Sequence, residues 1–480
     1  MALSEKLSSD IIVTTLVNFS QKIRGIVFIP LITRLLGTAS YGAFIQVEVI
    51  ARMCAAIARL GLENALIKFS QERDGSQLYI TLTSVALVLG SVVTVSVFLT
   101  AESISRLFLS SAEYTALFQI GSLLVPIYIA QDMGQNYYRA EMRVKRFSIL
   151  EGIKTYLNVG TVIAVLLVMN GGLFEIVGAV TFVELAFALV LQGTVLRATG
   201  LHRPSISDVG PSVRYSVPIM VGDVSGMFQD RVDRLLLGFF IGANAVGIYS
   251  IAYSVAKLLR MYALPLRVTF FPEFSRLWEE GDQESCYQYL ANGTRYLVGL
   301  AVPSVVGLYL IGEQLIGLLS TPEAAAYAPT LLPIIAAGIM LIGLDTLYRQ
   351  LFFASGKTLL VSLIRVGASL LNVGLNVVLI PEMGVIGAAL ATLLTFIIGF
   401  SVLYGLTLRN YEIIVEWKFA LKTLGAAAVM LAIGVLSGIQ SLVLLLVLCP
   451  VVYFTVLIGI KGIRPHEARF ILDSIGATFS

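Results

Sequence analysis

Apolar stretches of about 20 residues recur along nearly the whole of this 480-residue chain, and that recurrence restricts its fold more than any motif does. A stretch of that length crosses a bilayer core as a helix. Fourteen candidate spans lie near 11–33, 40–66, 78–100, 115–138, 148–169, 173–196, 212–241, 244–268, 293–319, 326–350, 359–380, 384–406, 417–437 and 440–461. The expected fold class is therefore an all-α polytopic membrane protein. Composition agrees, with 57% hydrophobic and 13% charged residues and a mean hydropathy of +0.87.

The distribution of basic residues tests that count. With a cytoplasmic N-terminus, the inside segments hold 21 of the 33 lysines and arginines, and the outside segments hold only Arg34 and Arg106. One span too many or too few would invert every later loop. The pattern predicts a multi-pass protein of the plasma or inner membrane with both termini in the cytoplasm.

The remaining ten basic residues fall inside the spans: Lys22, Arg24, Arg52, Arg59, Lys154, Arg231, Arg234, Lys257, Arg260 and Arg295. Each costs about 2.5–3.5 kcal/mol at mid-bilayer, so ten facing lipid would cost roughly 25–35 kcal/mol. They are expected to line a shared wet cavity, and a cationic cavity suits an anionic cargo.

The chain also repeats itself. Gly37-Thr38-Ala39-Ser40-Tyr41-Gly42-Ala43-Phe44 matches Gly242-Ala243-Asn244-Ala245-Val246-Gly247-Ile248-Tyr249 at an offset of 205. Leu157-Asn158-Val159-Gly160 matches Leu371-Asn372-Val373-Gly374, and Tyr138-Arg139 matches Tyr348-Arg349. An offset of six spans gives both copies the same orientation, a parallel repeat about an axis along the membrane normal. The expected organisation is an N-lobe over 1–200 (spans 1–6), a C-lobe over 201–410 (spans 7–12) and an appended helix pair over 411–480. Substrate is expected between the lobes, with one rocking against the other.

The buried charges concentrate in the first two spans of each lobe. Glu48, Arg52, Arg59 and Glu63 share one helical face, and so do Asp230 and Arg234 with Asp223. Lys22, Arg24, Lys257 and Arg260 have no acid at helical spacing, which favours cargo contact. The candidate cationic site is thus Lys22, Arg24, Arg52, Arg59, Arg234, Lys257 and Arg260. Glu48, Asp223, Asp230 and Asp233 are the carboxylates for charge pairing or for coupling to H⁺ or Na⁺. The competing structural reading makes Glu48–Arg52 and Asp230–Arg234 neutralised pairs that hold helices together, and lets Arg59 and Glu63 snorkel to a membrane surface. Glu151, Lys154, Asp345 and Arg349 read as structural or entrance residues.

Other signals are weak. Gly356-Lys357-Thr358 resembles the end of a phosphate-binding loop, but position 351 is Leu where the motif needs Gly. Cys54, Cys286 and Cys449 are scattered, so neither a disulfide framework nor a metal site is expected, and no cofactor. The start of the chain lacks the pattern of a cleaved signal peptide. A net charge of +3 gives no support to nucleic-acid binding.

The stretch Asn18-Phe19-Ser20 through Ile29-Pro30-Leu31-Ile32-Thr33-Arg34-Leu35-Leu36-Gly37, with Tyr41-Gly42 and Leu60-Gly61-Leu62-Glu63-Asn64-Ala65-Leu66-Ile67-Lys68-Phe69, resembles the opening of Wzx-type polysaccharide-repeat-unit flippases. Asp233-Arg234-Leu235-Leu236-Leu237-Gly238 with Val246-Gly247-Ile248-Tyr249-Ser250-Ile251-Ala252-Tyr253 is similar to their second-lobe signature. These belong to the multidrug/oligosaccharidyl-lipid/polysaccharide superfamily with a MATE-like fold. The resemblance implies flipping of a polyisoprenyl-pyrophosphate-linked oligosaccharide from the cytoplasmic to the outer leaflet, with Arg24 matching a first-span arginine of related flippases by position. The partners it implies are the lipid-linked oligosaccharide, the bilayer and the glycan polymerase machinery, around a monomer.

Two other readings compete. A cation-coupled multidrug exporter of the same superfamily would present an acidic cavity, against which the ten buried basic residues argue. A membrane enzyme of glycan assembly would present a large outer loop with catalytic residues, whereas the outer segments here are short and lack histidine.

Overall fold

A computed structural model describes residues 27–141, 144–262, 273–414 and 416–462. Every regular element among the described residues is a helix. In order these are α1 (Val27–Leu36), α2 (Thr38–Ala58), α3 (Leu62–Phe69), α4 (Gly75–Leu99), α5 (Ala101–Leu109), α6 (Thr115–Ser122), α7 (Leu124–Ala140), α8 (Val144–Ile163, extended by a π turn to Val168), α9 (Leu173–Thr199), α10 (Ile206–Phe240) and α11 (Ala243–Ala256, followed by a 3₁₀ turn, Lys257–Tyr262). The chain continues with α12 (273–279), α13 (Gln283–Leu319), α14 (Pro322–Ala354), α15 (Thr358–Asn410), α16 (Trp417–Leu436) and α17 (Leu442–Gly459).

Among the described residues, ten helices are long and apolar enough to cross a membrane. The difference from fourteen has local causes. Most of the first expected span lies outside the described residues. Asp223, Asp230, Arg231, Asp233 and Arg234 keep the hydropathy of α10 low, and α11 is short. Two expected spans run together in α15, where Gly384, at φ +59°, turns the backbone out of helical geometry. The second expected span is also divided, because Leu60 and Gly61 take left-handed conformations that end α2 and begin α3.

The chain separates into two compact units. One comprises Met1–Ile251, Leu319–Thr321 and Asn372–Ala388; the other comprises Ala252–Leu318, Pro322–Leu371 and Ala389–Ser480. In the first unit α7 is the central helix, packed against α2, α3, α4 and α9, while α10 lies against α2, α3 and α5. Asp74 caps α4, its carboxylate accepting from the Ser76 and Gln77 amides, which satisfies two of the free N–H groups of a helix start.

The glycine repeat explains one contact of this unit. A Cβ on Gly42 would lie 1.9 Å from the Ala243 carbonyl oxygen, and one on Gly247 would lie 2.2 Å from the Thr38 carbonyl oxygen. Thr38 stands four residues before Gly42 and Ala243 four before Gly247, so the contact is reciprocal, as in an isologous interface. Only glycine lets helices approach this closely.

In the second unit, α16 and α17 form a hairpin whose inner face, Ala426, Ala427, Met430, Leu445, Cys449, Tyr453 and Leu457, packs with Ile311 of α13. The Tyr453 hydroxyl donates to the Gly299 carbonyl at 2.8 Å, which satisfies a buried polar group in an otherwise apolar cluster. A second cluster joins α12, α13, α14 and α15 through Phe274, Cys286, Tyr348, Phe352, Leu403 and Tyr411.

Candidate functional site

The charged residues of the first unit fall into three groups. The first is closed. Glu184 of α9 is fully buried. Its carboxylate lies 3.3 Å from Lys154 Nζ and accepts from Gln131 Nε2 and Asn158 Nδ2, each at 2.8 Å. Lys154 donates in turn to Gln131 Oε1 at 3.0 Å and lies 4.7 Å from the Phe187 ring centre. A buried ion pair persists where further hydrogen bonds satisfy both partners, and this one is so arranged. Lys154, one of the ten basic residues of the spans, is enclosed by protein rather than lining a wet cavity, which fits its reading as a structural residue.

A second group surrounds Asp233 of α10. Its carboxylate accepts from the Tyr249 hydroxyl at 2.6 Å and from Asn376 Nδ2 at 2.9 Å, and Asn376 also donates to Asn372 Oδ1 at 3.2 Å. Asn158 and Asn372, the paired asparagines of the sequence repeat, therefore both lie in buried networks around a carboxylate.

The third group is open. On α2, Arg52 Nε donates to Glu48 Oε1 at 3.1 Å, and the guanidinium sits 4.1 Å from the Tyr128 ring centre of α7. Two helical turns on, Arg59 pairs with Glu63 at 2.7 Å and with Asp132. Tyr128 and Asp132 are four residues apart, so α7 presents an aromatic face to one arginine and a carboxylate to the next. On α10, Arg234 donates to the Asp230 carbonyl at 3.0 Å and to Ser250 Oγ at 3.2 Å. Arg231 lies within electrostatic reach of Arg52, Glu48, Arg234 and Asp230. Asp223 is exposed and accepts from Asn64 Nδ2 at 3.5 Å. Among the described residues, four arginines thus stand near four carboxylates, a mixed array rather than a purely cationic one.

Of the other expected site residues, Lys22 and Arg24 lie outside the described residues. In the second unit, Arg260 Nη2 donates to the Tyr253 hydroxyl at 3.1 Å, and Lys257 Nζ lies 6.0 Å from that ring centre. Arg295, also expected in a wet cavity, is buried. It donates to Glu416 at 2.7 Å and to the Gly462 carbonyl at 2.6 Å, with its guanidinium 4.3 Å from the Phe419 ring centre. It ties α13 to the segments flanking the α16–α17 hairpin. Asp345 and Arg349 pair at 2.6 Å along α14, as their spacing suggests. Outside the spans, Arg276 bridges Glu273 and Glu280 and holds the Glu273 carboxyl below its ordinary range.

The sequence model of a family described as polysaccharide biosynthesis protein matches residues 7–278, more than half of the chain. The chain belongs to that family. A second model, MatE, matches residues 218–378, and the chain is a member of the multidrug/oligosaccharidyl-lipid/polysaccharide superfamily. Over 283 residues the chain is 26% identical to Agl15 of Haloferax volcanii, named a probable low-salt glycan biosynthesis flippase. That match takes in 57% of this chain and 59% of Agl15, so the chain spans less than two thirds of that relative. Over 401 residues it is 24% identical to the probable flippase AglR of the same organism, covering 80% of this chain and 79% of AglR. Its fold is similar to that of the lipid II flippase MurJ in an inward closed conformation, with a TM-score of 0.79 at 15% identity over 93% of this chain and 98% of MurJ.

Several residues of this family member's charged groups carry no local sequence signal. Tyr128, Gln131, Asp132 and Glu184 join arginines and lysines on other helices, and hydropathy treats them as isolated polar residues in apolar runs. The one available hint is Glu184, which interrupts a predominantly apolar run.

Proposed function

We propose that this protein flips a lipid-linked glycan across the membrane, taking a polyisoprenyl-pyrophosphate-linked oligosaccharide from the cytoplasmic to the outer leaflet by alternating access. The observation that carries the reading is the array of Arg52, Arg59, Arg231 and Arg234 on membrane-embedded helices, partly buried rather than wholly sealed into the core. A phosphate entering hydrocarbon needs charged donors, and arginine offers bidentate ones. The neighbouring carboxylates offset the arginines when no cargo is bound. Lys22, Arg24, Lys257 and Arg260 are further candidates for cargo contact in this reading. Family membership and the names given to Agl15 and AglR support the same cargo class.

Asp233, Glu48, Asp223 and Asp230 are the candidates for coupling transport to H⁺ or Na⁺, with Asp233 favoured because its carboxylate is almost fully buried. The protein works in this reading as a monomer of the plasma or inner membrane, with both ends cytoplasmic, handing its cargo to glycan polymerase machinery. The match to the MatE model over 218–378 favours one alternative, export of organic cations.

The test uses purified protein in liposomes carrying a fluorescent polyprenyl-pyrophosphate oligosaccharide in both leaflets. Accessibility to an impermeant quencher is followed with and without an imposed pH or Na⁺ gradient. Protein-dependent translocation that Arg24→Ala or Lys257→Ala removes is the expected result. Efflux of an organic cation dye without glycolipid movement sinks the flippase reading in favour of the exporter.

A further inference from the structure

We propose that the second unit holds one acyl chain of an anionic phospholipid in a cavity between α13, α14, α15 and the start of α16. Such a site serves the surrounding bilayer and is independent of the cargo. The cavity measures about 300 Å³, at the lower end of ligand-sized sites. Val298 of α13, Leu344 and Tyr348 of α14, Phe400 and Tyr404 of α15 and Phe419 of α16 make its walls. The ionised groups among the lining residues are already engaged with protein. Arg295 donates to Glu416 at 2.7 Å and to the Gly462 carbonyl at 2.6 Å, and the Thr294 hydroxyl donates to the Tyr348 hydroxyl at 3.5 Å. A wall whose charges satisfy each other favours an apolar guest, since a polar guest would give up its water for little in return.

The mouth of the cavity adds the other two parts of a phospholipid site. Ile414 and Trp417 line it and are 46% and 63% exposed. A tryptophan so placed suits the headgroup level of a bilayer. Lys418, next in the chain, is exposed. Lys422 stands one helical turn on, and its Nζ donates to the Lys461 carbonyl at 2.8 Å, which brings a third lysine to the same end of the α16–α17 hairpin. Among the described residues none of these three lysines makes an ion pair. The acids of this segment are Glu416, which is paired with Arg295, and Glu412, whose backbone meets Tyr287 of α13. No side chain caps the start of α16, so the partial positive charge of that helix end adds to the lysines. In the topology read from the basic residues, this end of the hairpin faces the cytoplasm. An apolar slot, an aromatic lip and a cationic rim together complement an acyl chain, an interface and an anionic headgroup.

The test uses the full chain in nanodiscs of phosphatidylcholine. The protein has two tryptophans, so Trp278→Phe leaves Trp417 as the sole one, at the mouth of the cavity. Phosphatidylglycerol or phosphatidylcholine with brominated acyl chains is introduced as a minor component, and quenching of Trp417 is followed against lipid fraction. Brominated phosphatidylglycerol should quench at an about tenfold lower fraction than brominated phosphatidylcholine. Lys418→Gln and Lys422→Gln should each reduce that preference by up to about fivefold. Ala420→Phe, which adds bulk to the cavity wall, should bring the two lipids level. The lysine variants keep the test decisive where the filling variant fails to fold. Equal quenching by the two lipids in the Trp278→Phe protein overturns the proposal, and so does a preference that neither lysine variant changes. Relief of quenching by unbrominated geranylgeraniol, at a fraction where unbrominated phosphatidylcholine gives none, assigns the cavity to an isoprenoid tail and overturns the phospholipid site while leaving the flippase reading standing.

Discussion

Lys154 and Glu184 keep only 9% and 1% of their side chains accessible, whereas Glu48 and Arg52, four residues apart on α2, keep 25% and 31%. Both pairs sit on helices that pack against α7, and both join a cation to a carboxylate. In the closed pair every polar neighbour is directed inward: Gln131 and Asn158 complete the shell of Glu184, and the Phe187 ring covers Lys154. In the open pair the Tyr128 ring lies 4.1 Å from the guanidinium and Glu48 takes its Nε edge, with part of both side chains left accessible. A sealed charge pair fixes helix packing. A pair left accessible is, in the reading proposed above, one that can exchange partners. The distinction separates scaffold from site inside one compact unit, although hydropathy presents all four residues alike.

The sharpest way to break the comparison is to remove one member of the closed pair. Glu184→Leu strands a buried ammonium and is expected to destabilise the protein by about 3–5 kcal/mol. The readout is loss of monodisperse protein and a lower thermal midpoint in detergent. Lys154→Met combined with Glu184→Leu should recover most of that stability, because an apolar pair of similar volume needs no solvation. If the double variant is as unstable as the single one, the pair is more than a packing device and the contrast with Arg52 weakens.

A smaller effect is expected where closed and open meet. Asp132→Asn keeps the shape of the side chain but removes the charge beside Arg59, leaving Glu63 as its partner. Loss of a hydrogen bond to a charged group predicts a decrease of about 1.5–3 kcal/mol at most, discounted because Asp132 is partly accessible. Binding of a polyprenyl pyrophosphate should be unchanged or stronger, since a carboxylate that offsets the arginines is removed. Weaker binding would place Asp132 within the site and blur the division between Arg52 and Arg59.

Sequence patterning makes the along-helix part of this arrangement legible. Glu48–Arg52, Arg59–Glu63 and Asp345–Arg349 are all four residues apart, and each is an ion pair in the structure. The cross-helix part is not legible. Arg59 and Asp132 are 73 residues apart, and Gln131 and Glu184 are 53 apart; only tertiary packing decides which polar residues meet. The same limit applies to the repeat. Its glycines are visible in the sequence, but that Gly42 and Gly247 abut each other's backbones is not. Gly42→Ala should therefore lower stability by about 1–3 kcal/mol through overpacking, while Gly160→Ala, where no atom lies within 4 Å of the new methyl, should be neutral or slightly stabilising. Equal effects at both positions would mean that α2 and α11 part easily.

The smallest effect tests the far end of the exposure scale. Arg106 and Glu102 on α5 pair at 2.8 Å with the same four-residue spacing as Glu48 and Arg52, but their side chains are 65% and 61% accessible. Water screens such a pair and competes for both partners, so Arg106→Gln should change stability by roughly 0–1 kcal/mol, and less as salt is raised. Thermal midpoints of Arg106→Gln and wild type, compared at low and high salt, measure this directly. A change as large as that of Asp132→Asn would show that pairing geometry outweighs enclosure. Near equality with wild type would leave enclosure as the property that separates charges holding the helices together from charges poised for a ligand.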